Sequence, residues 1–285
     1  MTGRVLIVAG SDSSAGAGIQ GDLKTAMALS GYATTAITAV TAQNTLGVAG
    51  VLPIGPDFFR RQIEAVLSDI GADAIKTGML VDAAVVETVA DALAALAPDV
   101  PLVVDPVIAS TSGTVLLDEA GVERLKRRLI ARAAVVTPNV PEAAMLTGLT
   151  VADLDGMRRA ADALLRLGAR AVVVKGGHLP GKTLTDLVVT ARGSFTIRVA
   201  RQTTRATHGT GCTYASAIAV GLAQGLALRP AVERAHAFVQ QAIRNAPGLG
   251  HGRGPMGHAP LPQRKTKGKH VRRHRLRRRT RSRRR

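Results

Sequence analysis

The sequence predicts an α/β protein with a central, mostly parallel β-sheet and helices on both faces. Short apolar runs alternate with longer segments of helical spacing through most of the 285 residues. Continuous apolar runs separated by helices are typical of parallel strands that are buried on both faces. Hydrophobic residues make up 46% of the chain and aromatic residues 2%, which predicts a large core of aliphatic side chains.

The elements follow one another in a regular order. The apolar or β-branched runs that predict strands are residues 4–9, 33–42, 74–76, 101–105, 134–137 and 171–175. The intervening predicted helices are residues 19–29, 57–70, 83–96, 119–131 and 152–167. Residues 183–190 and 194–200, joined by Ala-Arg-Gly, then predict a hairpin at a sheet edge. Two final helices are predicted at residues 211–224 and 230–245.

Cysteine content and apolar run lengths exclude several classes of protein. Cys212 is the single cysteine, so the chain cannot form an internal disulfide, and a cysteine-based zinc site is disfavoured. The apolar run near the N-terminus is shorter than a secretory signal needs, and no run approaches the length of a membrane span. These features lead us to expect a cytoplasmic protein without a membrane segment.

The net charge of +18 is concentrated at the C-terminal end of the chain. Residues 263–285 hold 14 of the 38 Lys and Arg and no acidic residue, which leaves 24 bases against 20 acids elsewhere. We expect a folded domain over residues 1–247, a Gly/Pro/His-rich linker over 248–262 and a disordered basic tail over 263–285.

The tail suggests a competing function. So dense a basic segment could bind nucleic acid non-specifically, with the α/β body as a scaffold. It has no aromatic residues for base stacking and no docking motif. The alternative is an extension without a selected role.

Two glycine-rich segments match nucleotide-binding patterns without the expected context. Residues 176–183 fit G-x-x-x-x-G-K-[ST], but the residues that follow have strand character, whereas a P-loop requires a helix there. Residues 16–21 fit G-x-G-x-x-G, but five residues separate this match from the end of the strand, and no acidic residue lies at the required distance beyond it. Neither match is favoured as a nucleotide site.

A third glycine-rich segment lies directly before an apolar helix, at residues 207–212. Backbone N–H groups at a helix N-terminus favour an anion, such as the γ-phosphoryl group during phosphoryl transfer. The candidate catalytic residues are Gly209, Thr210, Gly211 and Cys212. A helix N-terminus also lowers a thiol pKa, so Cys212 could act as a thiolate base or as a close polar contact. The alternatives are a glycine-rich turn that only starts a helix and a small, inert, buried cysteine.

Polar residues at the ends of predicted strands are candidates for metal and phosphate binding. Asn139 and Glu142 could hold Mg²⁺, which prefers oxygen ligands, or could form an N-terminal helix cap, and both roles are compatible. Asp105 and Lys175 each end a strand, where open α/β sheets bind ligands. Each of them could equally be a routine residue in a turn.

Two further residues could contact a substrate. Asp22, just inside the first helix, could accept a hydrogen bond from a substrate hydroxyl. The Gln43 amide has donors and an acceptor, which suit a ring nitrogen and its amino neighbour. The alternatives are that Asp22 complements the helix dipole and that Gln43 closes a turn.

Seven motifs in register closely resemble the hydroxymethylpyrimidine/phosphomethylpyrimidine kinases of thiamine biosynthesis, which have the ribokinase-like fold. The resemblance covers essentially residues 4–247. The motifs are AGSDSS…AGIQ…DLKT from residue 9, TAVTAQNT from 38, KTGML from 76, VDPV from 104, TPNVPEA from 137, VKGGH from 174 and HGTGCT from 208. The family usually has Gly at the position of Ala15 and a Lys-x-aromatic pattern at His236, and its pattern does not include the tail.

The resemblance implies two successive phosphoryl transfers from ATP-Mg²⁺. The acceptors are 4-amino-5-hydroxymethyl-2-methylpyrimidine and then its monophosphate, and the enzyme is expected to be a homodimer. The implied substrate contacts are Gly10, Asp22, Gln43, Met79 and Val107. The implied ATP contacts are Lys175, Asn139, Asp105 and His208, and the implied metal residues are Glu142, Asn139 and Asp105. Some relatives favour pyridoxal-type substrates, so a pyridoxal or pyridoxine salvage kinase is the alternative.

Overall fold

The computed structural model describes residues 2–110 and 113–258. Its strands coincide with the apolar runs, because residues buried on both faces of a sheet need no polar alternation. The strands are β1 (Arg4–Asp12), β2 (Tyr32–Gln43), β3 (Val48–Pro53), β4 (Ala74–Thr77), β5 (Leu102–Val104), β6 (Val135–Val136), β7 (Ala171–Val174), β8 (Thr183–Thr190) and β9 (Gly193–Ala200).

The helices are α1 (Gly18–Ala28), α2 (Pro56–Asp69), α3 (Ala83–Leu96), α4 (Glu119–Arg124), α5 (Val140–Thr147), α6 (Leu154–Arg166), α7 (Thr210–Ala223) and α8 (Leu228–Arg244). The helix predicted over residues 119–131 is less regular than expected. After α4 the chain forms a π-helical turn over Leu125–Leu129 and a 3₁₀ turn over Ile130–Arg132.

All nine strands form one sheet in the order β3-β2-β1-β4-β5-β6-β7-β8-β9. The strands from β2 to β7 in this order pair in parallel, while β3, β8 and β9 pair antiparallel with their neighbours. The predicted mostly parallel sheet and its edge hairpin, β8–β9, are therefore confirmed. Strand β3 was not predicted.

Two hydrophobic cores, one on each face of the sheet, give the molecule three layers. Helices α2 to α6 cover one face, where Phe59 of α2 and Leu93 of α3 are fully buried with aliphatic strand residues. Helices α1, α7 and α8 cover the other face, where Ile218 and Phe238 are buried. The predicted aliphatic core with helices on both faces is therefore confirmed. No helix among the described residues is long and apolar enough to cross a membrane.

Residues 248–258 pack against the sheet-and-helix body, in contrast to the linker expected there. Met256 is buried, and the Gly257 N–H donates to the carbonyl of Ala242 in α8. The Arg253 N–H donates to the carbonyl of Thr45, in the loop after β2. Glycines allow this close approach of two backbones. A glycine-rich composition is also typical of a flexible linker, so composition alone cannot distinguish a packed segment from a linker. The remainder of the expected linker and the basic tail lie outside the described residues.

Candidate active site

A cavity of about 1190 Å³ opens at the carboxyl ends of the parallel strands. Because these ends meet at one edge of the sheet, residues far apart in the chain share the cavity wall. Of the residues predicted for the site, those that line the cavity are Gly10, Gln43, Met79, Asp105, Val107, Asn139, Glu142, Lys175, His208, Gly209, Thr210, Gly211 and Cys212. The exception is Asp22.

The N-terminus of α7 faces this cavity through the predicted glycine-rich loop. Gly209 precedes the helix with φ +83°, and no side chain caps the first turn. A Cβ atom at Gly209 would lie 2.0 Å from the carbonyl oxygen of Gly16, so only glycine fits there. A Cβ atom at Gly211 would lie 3.0 Å from Nζ of Lys175. The loop therefore brings the partial positive charge of a helix N-terminus next to a lysine, an arrangement that favours an anion.

Cys212 lines the cavity, but its surroundings do not favour a thiolate. Burial raises the pKa of Cys212 to about 11, and the charge of Lys76 offsets only part of this effect. The raised pKa favours a protonated thiol at neutral pH, which supports a close polar contact rather than a resting thiolate base, and the catalytic role of Cys212 stays a prediction. At this position, the increase in thiol pKa caused by removal from water is larger than the decrease caused by the helix N-terminus.

Asp22 is a correction to the sequence-based prediction, because its side chain is completely buried beneath the cavity. Oδ2 of Asp22 lies 2.8 Å from Nζ of Lys76, and Oδ1 accepts a hydrogen bond from Ser216 at 2.7 Å. Lys76 is equally buried, and although burial opposes its charge, Asp22 raises the pKa of this ammonium group. Asp22 is thus the counter-ion of a buried lysine, and the predicted contact with a substrate hydroxyl is wrong.

The other predicted substrate residues surround one end of the cavity. Gln43 is half-buried, and its Oε1 accepts a hydrogen bond from Thr41 at 3.3 Å. The backbone carbonyl of Met79 accepts a hydrogen bond from the Thr38 hydroxyl. The sulfur of Met79 lies 3.2 Å from the place that a Cβ atom at Gly10 would occupy. These contacts, together with Val107 in the cavity wall, form a mixed polar and apolar surface that suits a flat heterocycle.

Asp105 and Lys175 face each other where β5 and β7 end. Nζ of Lys175 donates to Oδ1 of Asp105 at 2.9 Å, and Thr137 donates to the same oxygen at 3.0 Å. Burial opposes the charge on Lys175, but Asp105 and Glu142 raise its pKa, so the ammonium group stays protonated. A buried cation of this kind can bind a phosphate as a point charge.

Asn139 and Glu142 form a complete capping box at the start of α5. Oδ1 of Asn139 accepts from the Glu142 N–H at 2.9 Å, and Oε2 of Glu142 accepts from the Asn139 N–H at 2.8 Å. Burial raises the pKa of Glu142 to about 7, while the charge of Lys175 acts in the opposite direction. The cap that the sequence allowed is therefore present, and both side chains also line the cavity.

The donor set at this end of the cavity fits Mg²⁺. Asp105 and Glu142 offer carboxylate oxygens, and the hydrogen bonds to the Asp105 side chain are made at Oδ1. In proteins Mg²⁺ is commonly held by one or two carboxylates together with substrate phosphates and water. No group of three or more His, Cys, Asp or Glu side chains suited to a metal ion occurs in residues 2–110 and 113–258.

Asp12 and His208 form a buried hydrogen-bonded pair that the sequence did not predict. Oδ2 of Asp12 lies 2.7 Å from Nε2 of His208, and Nε2 of Gln43 lies 3.3 Å from the same nitrogen. Burial opposes ionisation of Asp12, but hydrogen bonds from His208 and Ser14 lower its pKa to about 2. The His208 ring is thus placed beside Gln43, and its predicted contact with ATP stays a prediction. The two motifs were recognised separately, but no local signal pairs them across 196 positions.

Asp186 is a further residue that the sequence analysis missed. It is buried on β8, and its Oδ1 accepts from the Gly176 N–H at 2.9 Å, which fixes the turn after Lys175. This turn is a 3₁₀ segment, Gly176–His178, followed by strand β8. The P-loop pattern in these residues therefore lacks its helix, as the sequence context indicated.

Comparison with protein families identifies the family to which a chain with this site belongs. A model of the phosphomethylpyrimidine kinase family matches residues 12–257. The chain belongs to this family. The match includes both motifs of the Asp12–His208 pair and the strands that supply Asp105 and Lys175, so the kinase family predicted from the sequence is confirmed.

Two relatives show how far the similarity extends. The chain is 44% identical over 256 residues to a hydroxymethylpyrimidine/phosphomethylpyrimidine kinase of Bacillus subtilis, covering 90% of this chain and 94% of that protein. It is 47% identical over 256 residues to the thiamine biosynthesis bifunctional protein ThiED of Geobacter sulfurreducens. That match covers 90% of this chain but 52% of the relative, so the kinase spans about half of the bifunctional protein.

Solved structures confirm the ribokinase-like fold. A phosphomethylpyrimidine kinase from Clostridium difficile has a TM-score of 0.75 at 39% identity, covering 84% of this chain and 99% of that one. The pyridoxal kinase of Staphylococcus aureus in complex with ADP has a TM-score of 0.85 at 36% identity, covering 92% and 96%. The second structure holds a nucleotide, consistent with an ATP-dependent small-molecule kinase.

Proposed function

We propose that this kinase phosphorylates 4-amino-5-hydroxymethyl-2-methylpyrimidine and then its monophosphate, for thiamine diphosphate biosynthesis. In the first step the hydroxymethyl oxygen attacks the γ-phosphorus of ATP, the bond to the bridging oxygen breaks, ADP leaves with that bond's electron pair, and the hydroxyl proton is released to water. In the second step an oxygen of the new phosphate is the attacking atom. The names of the relatives support this pair of acceptors.

One observation carries the proposal: the cavity joins an aromatic-sized substrate end to an anion-binding end. Gln43 and Met79 line the first, and Lys175 and the N-terminus of α7 line the second. Gly209 and Cys212 belong to the N-terminus of α7 and line the same cavity, so a hydroxymethyl group and a γ-phosphoryl group would meet beside them. The volume of about 1190 Å³ accommodates both molecules.

Catalysis by this site is mainly positioning and electrostatic stabilisation, as in other phosphoryl transfers. The backbone N–H groups of the Gly209–Cys212 loop are placed to bind the oxygens of the transferred group. Lys175 adds a fixed positive charge. The protonated Cys212 thiol gives the acceptor hydroxyl a close polar contact, and it does not take the proton, since its pKa is raised to about 11.

Mg²⁺ would be held by Asp105 and Glu142, with the amide of Asn139 close by. Bound Mg²⁺ would neutralise charge on the oxygens of the β- and γ-phosphates. The Asp105 carboxylate would then serve both the metal and Lys175. The Asn139 N–H would keep its hydrogen bond to Oε2 of Glu142, which holds the carboxylate in place.

A coupled ADP-release assay with Mg²⁺ tests the proposal against four conditions. These are the hydroxymethylpyrimidine, its monophosphate, pyridoxal and no acceptor. We expect turnover with both pyrimidines. Turnover with pyridoxal alone, or with the unphosphorylated pyrimidine alone, would assign the enzyme to salvage, and ADP release that no acceptor stimulates would refute the kinase proposal.

The cellular setting and oligomeric state belong to the same proposal. We propose a cytoplasmic homodimer, in line with the family resemblance. Edge strand β3 is exposed, and Leu52 on it pairs with Val40 of β2 while both side chains remain accessible to solvent. Such an apolar sheet edge supports a subunit contact. Sedimentation analysis should give twice the 29.6 kDa chain mass.

A further inference from the structure

The hydrogen-bonded Asp12–His208 pair connects the end of β1 to the loop before α7. Both residues are buried, and they lie 196 positions apart in the chain. Asp12 also accepts hydrogen bonds from the N–H and hydroxyl groups of Ser14 and from the N–H groups of Gly16 and Ala17. The carboxylate therefore folds residues 13–17 around itself and still reaches His208.

His208 in turn contacts three other parts of the site. Its Nε2 lies 3.3 Å from Nε2 of Gln43, at the pyrimidine end of the cavity. Its backbone N–H donates to the carbonyl of Gly254 at 3.3 Å, in the C-terminal segment. Gly209, the first residue of the phosphate-binding loop, follows directly. A displacement of the imidazole would therefore be transmitted to both ends of the cavity.

The two loops also touch through their backbones. A Cβ atom at Gly16 would lie 2.4 Å from Cδ2 of His208, and one at Gly209 would lie 2.0 Å from the Gly16 carbonyl oxygen. With no side chains between them, the position of one loop determines that of the other. The Asp12–His208 hydrogen bond is the side-chain contact that holds them in this arrangement.

We propose that Asp12 and His208 are positioning residues, whose side-chain hydrogen bond sets the Gly209–Cys212 N–H groups relative to the Gln43 end of the site. This inference rests on the proposed function. Neither side chain needs to touch the reacting atoms. Loss of the pair should therefore lower turnover more than binding, because donors displaced by about 1 Å lose their contact with the transition state.

The test measures kcat and both KM values for Asp12→Asn, His208→Gln and the double variant. We expect each single change to lower kcat by about 10- to 100-fold, with KM for ATP and for the pyrimidine within about threefold. The double variant should lose no more than the worse single variant, since both changes break one contact. Ser14→Ala, which removes a different partner of Asp12, is the matched control and should keep the kcat of the unmodified enzyme.

His208→Ala decides the question even if Asp12→Asn does not fold. It leaves Asp12 with the N–H donors of its own loop, and it opens a space beside the cavity that free imidazole can enter. We expect added imidazole to restore kcat severalfold in this variant and to leave the unmodified enzyme unchanged.

Three results would overturn the inference: multiplicative losses in the double variant, an unchanged kcat in both single variants, or a loss confined to KM. If the unmodified enzyme turns over both pyrimidines, these results refute the positioning role alone. If it turns over neither, the proposed function and this inference fail together.

Discussion

At Cys212, two effects on one thiol oppose each other. The sequence shows the helix N-terminus, which favours a thiolate, but it does not show how much water the fold removes. Burial of the thiol depends on elements that are far apart in the chain, and this desolvation raises the pKa to about 11. The position of the residue was predictable, whereas its charge was not.

The pH dependence of Cys212 alkylation tests this charge. Because the folded-state pKa is raised, the thiol stays protonated through neutral pH and ionises only near 11. We expect the logarithm of the iodoacetamide reaction rate to rise linearly from pH 7 to 9.5. In the urea-unfolded chain the rate should level off above the ordinary thiol pKa of about 8.5. Since Cys212 is the only cysteine, a plateau near 8.5 in the folded enzyme would contradict the raised pKa.

Asp22 was assigned to the substrate because the sequence could not reveal Lys76 as its partner, 54 positions away. Asp22→Ala should lower the free energy of unfolding by about 3–5 kcal/mol, because it leaves a fully buried ammonium group unpaired. Urea titration followed by circular dichroism measures this change.

The matched control for Asp22→Ala is the double variant Asp22→Leu/Lys76→Met. Removal of both charges should recover most of the lost stability, since a buried pair can be replaced by apolar side chains at little cost. A stable Asp22→Ala enzyme with a much higher KM for the pyrimidine would instead support the original prediction that Asp22 contacts the substrate.

At the scale of elements, the sequence predicted those whose pattern follows from burial. The central strands are buried on both faces and therefore appear as apolar runs. Strand β3 was missed because it contains Gly50, ends at Pro53 and lies at an exposed edge, where no core imposes a pattern. The capping pattern did allow a helix start at Asn139, although α5 has only eight residues.

The capping box gives α5 a measurable stability contribution. Asn139→Ala should lower the free energy of unfolding by about 1 kcal/mol, because the Glu142 N–H loses its acceptor. Asn245→Ala, at the exposed C-terminal end of α8, is the control and should change stability by less than about 0.5 kcal/mol. Equal effects in chemical denaturation would show that the cap contributes nothing specific.

At the scale of the whole molecule, the domain boundary at residue 247 stays a prediction, and the packing of residues 248–258 supports a later one. We propose that the kinase domain extends to residue 258, because residues 254–258 contact the α7 loop and helices α7 and α8. His258 lies 2.9 Å from the Thr213 hydroxyl, and Met256 belongs to the core on that face. The predicted boundary at 247 followed the change to Gly, Pro and His, which does not distinguish a packed segment from a linker.

Two truncations test this boundary. The variant that ends at residue 258 should keep the kcat and melting temperature of the full chain, since every described contact remains. The variant that ends at 247 should melt several degrees lower and lose most of its turnover. Equal melting temperatures for the two variants would return the boundary to 247.

Filter binding of RNA and DNA to the full chain and to the variant that ends at residue 258 tests the tail. Unchanged affinity would exclude tail-driven binding.

The contact between His208 and Gly254 also has a consequence for synthesis on the ribosome. Asp12 is made first, its partner His208 follows 196 positions later, and Gly254 comes later still. Strands β1 and β2 can pair early on the nascent chain, whereas the loop before α7 cannot make its contact with Gly254 until that residue has been made. This wall of the cavity is therefore completed late in folding during synthesis, after all nine strands of the sheet have been made.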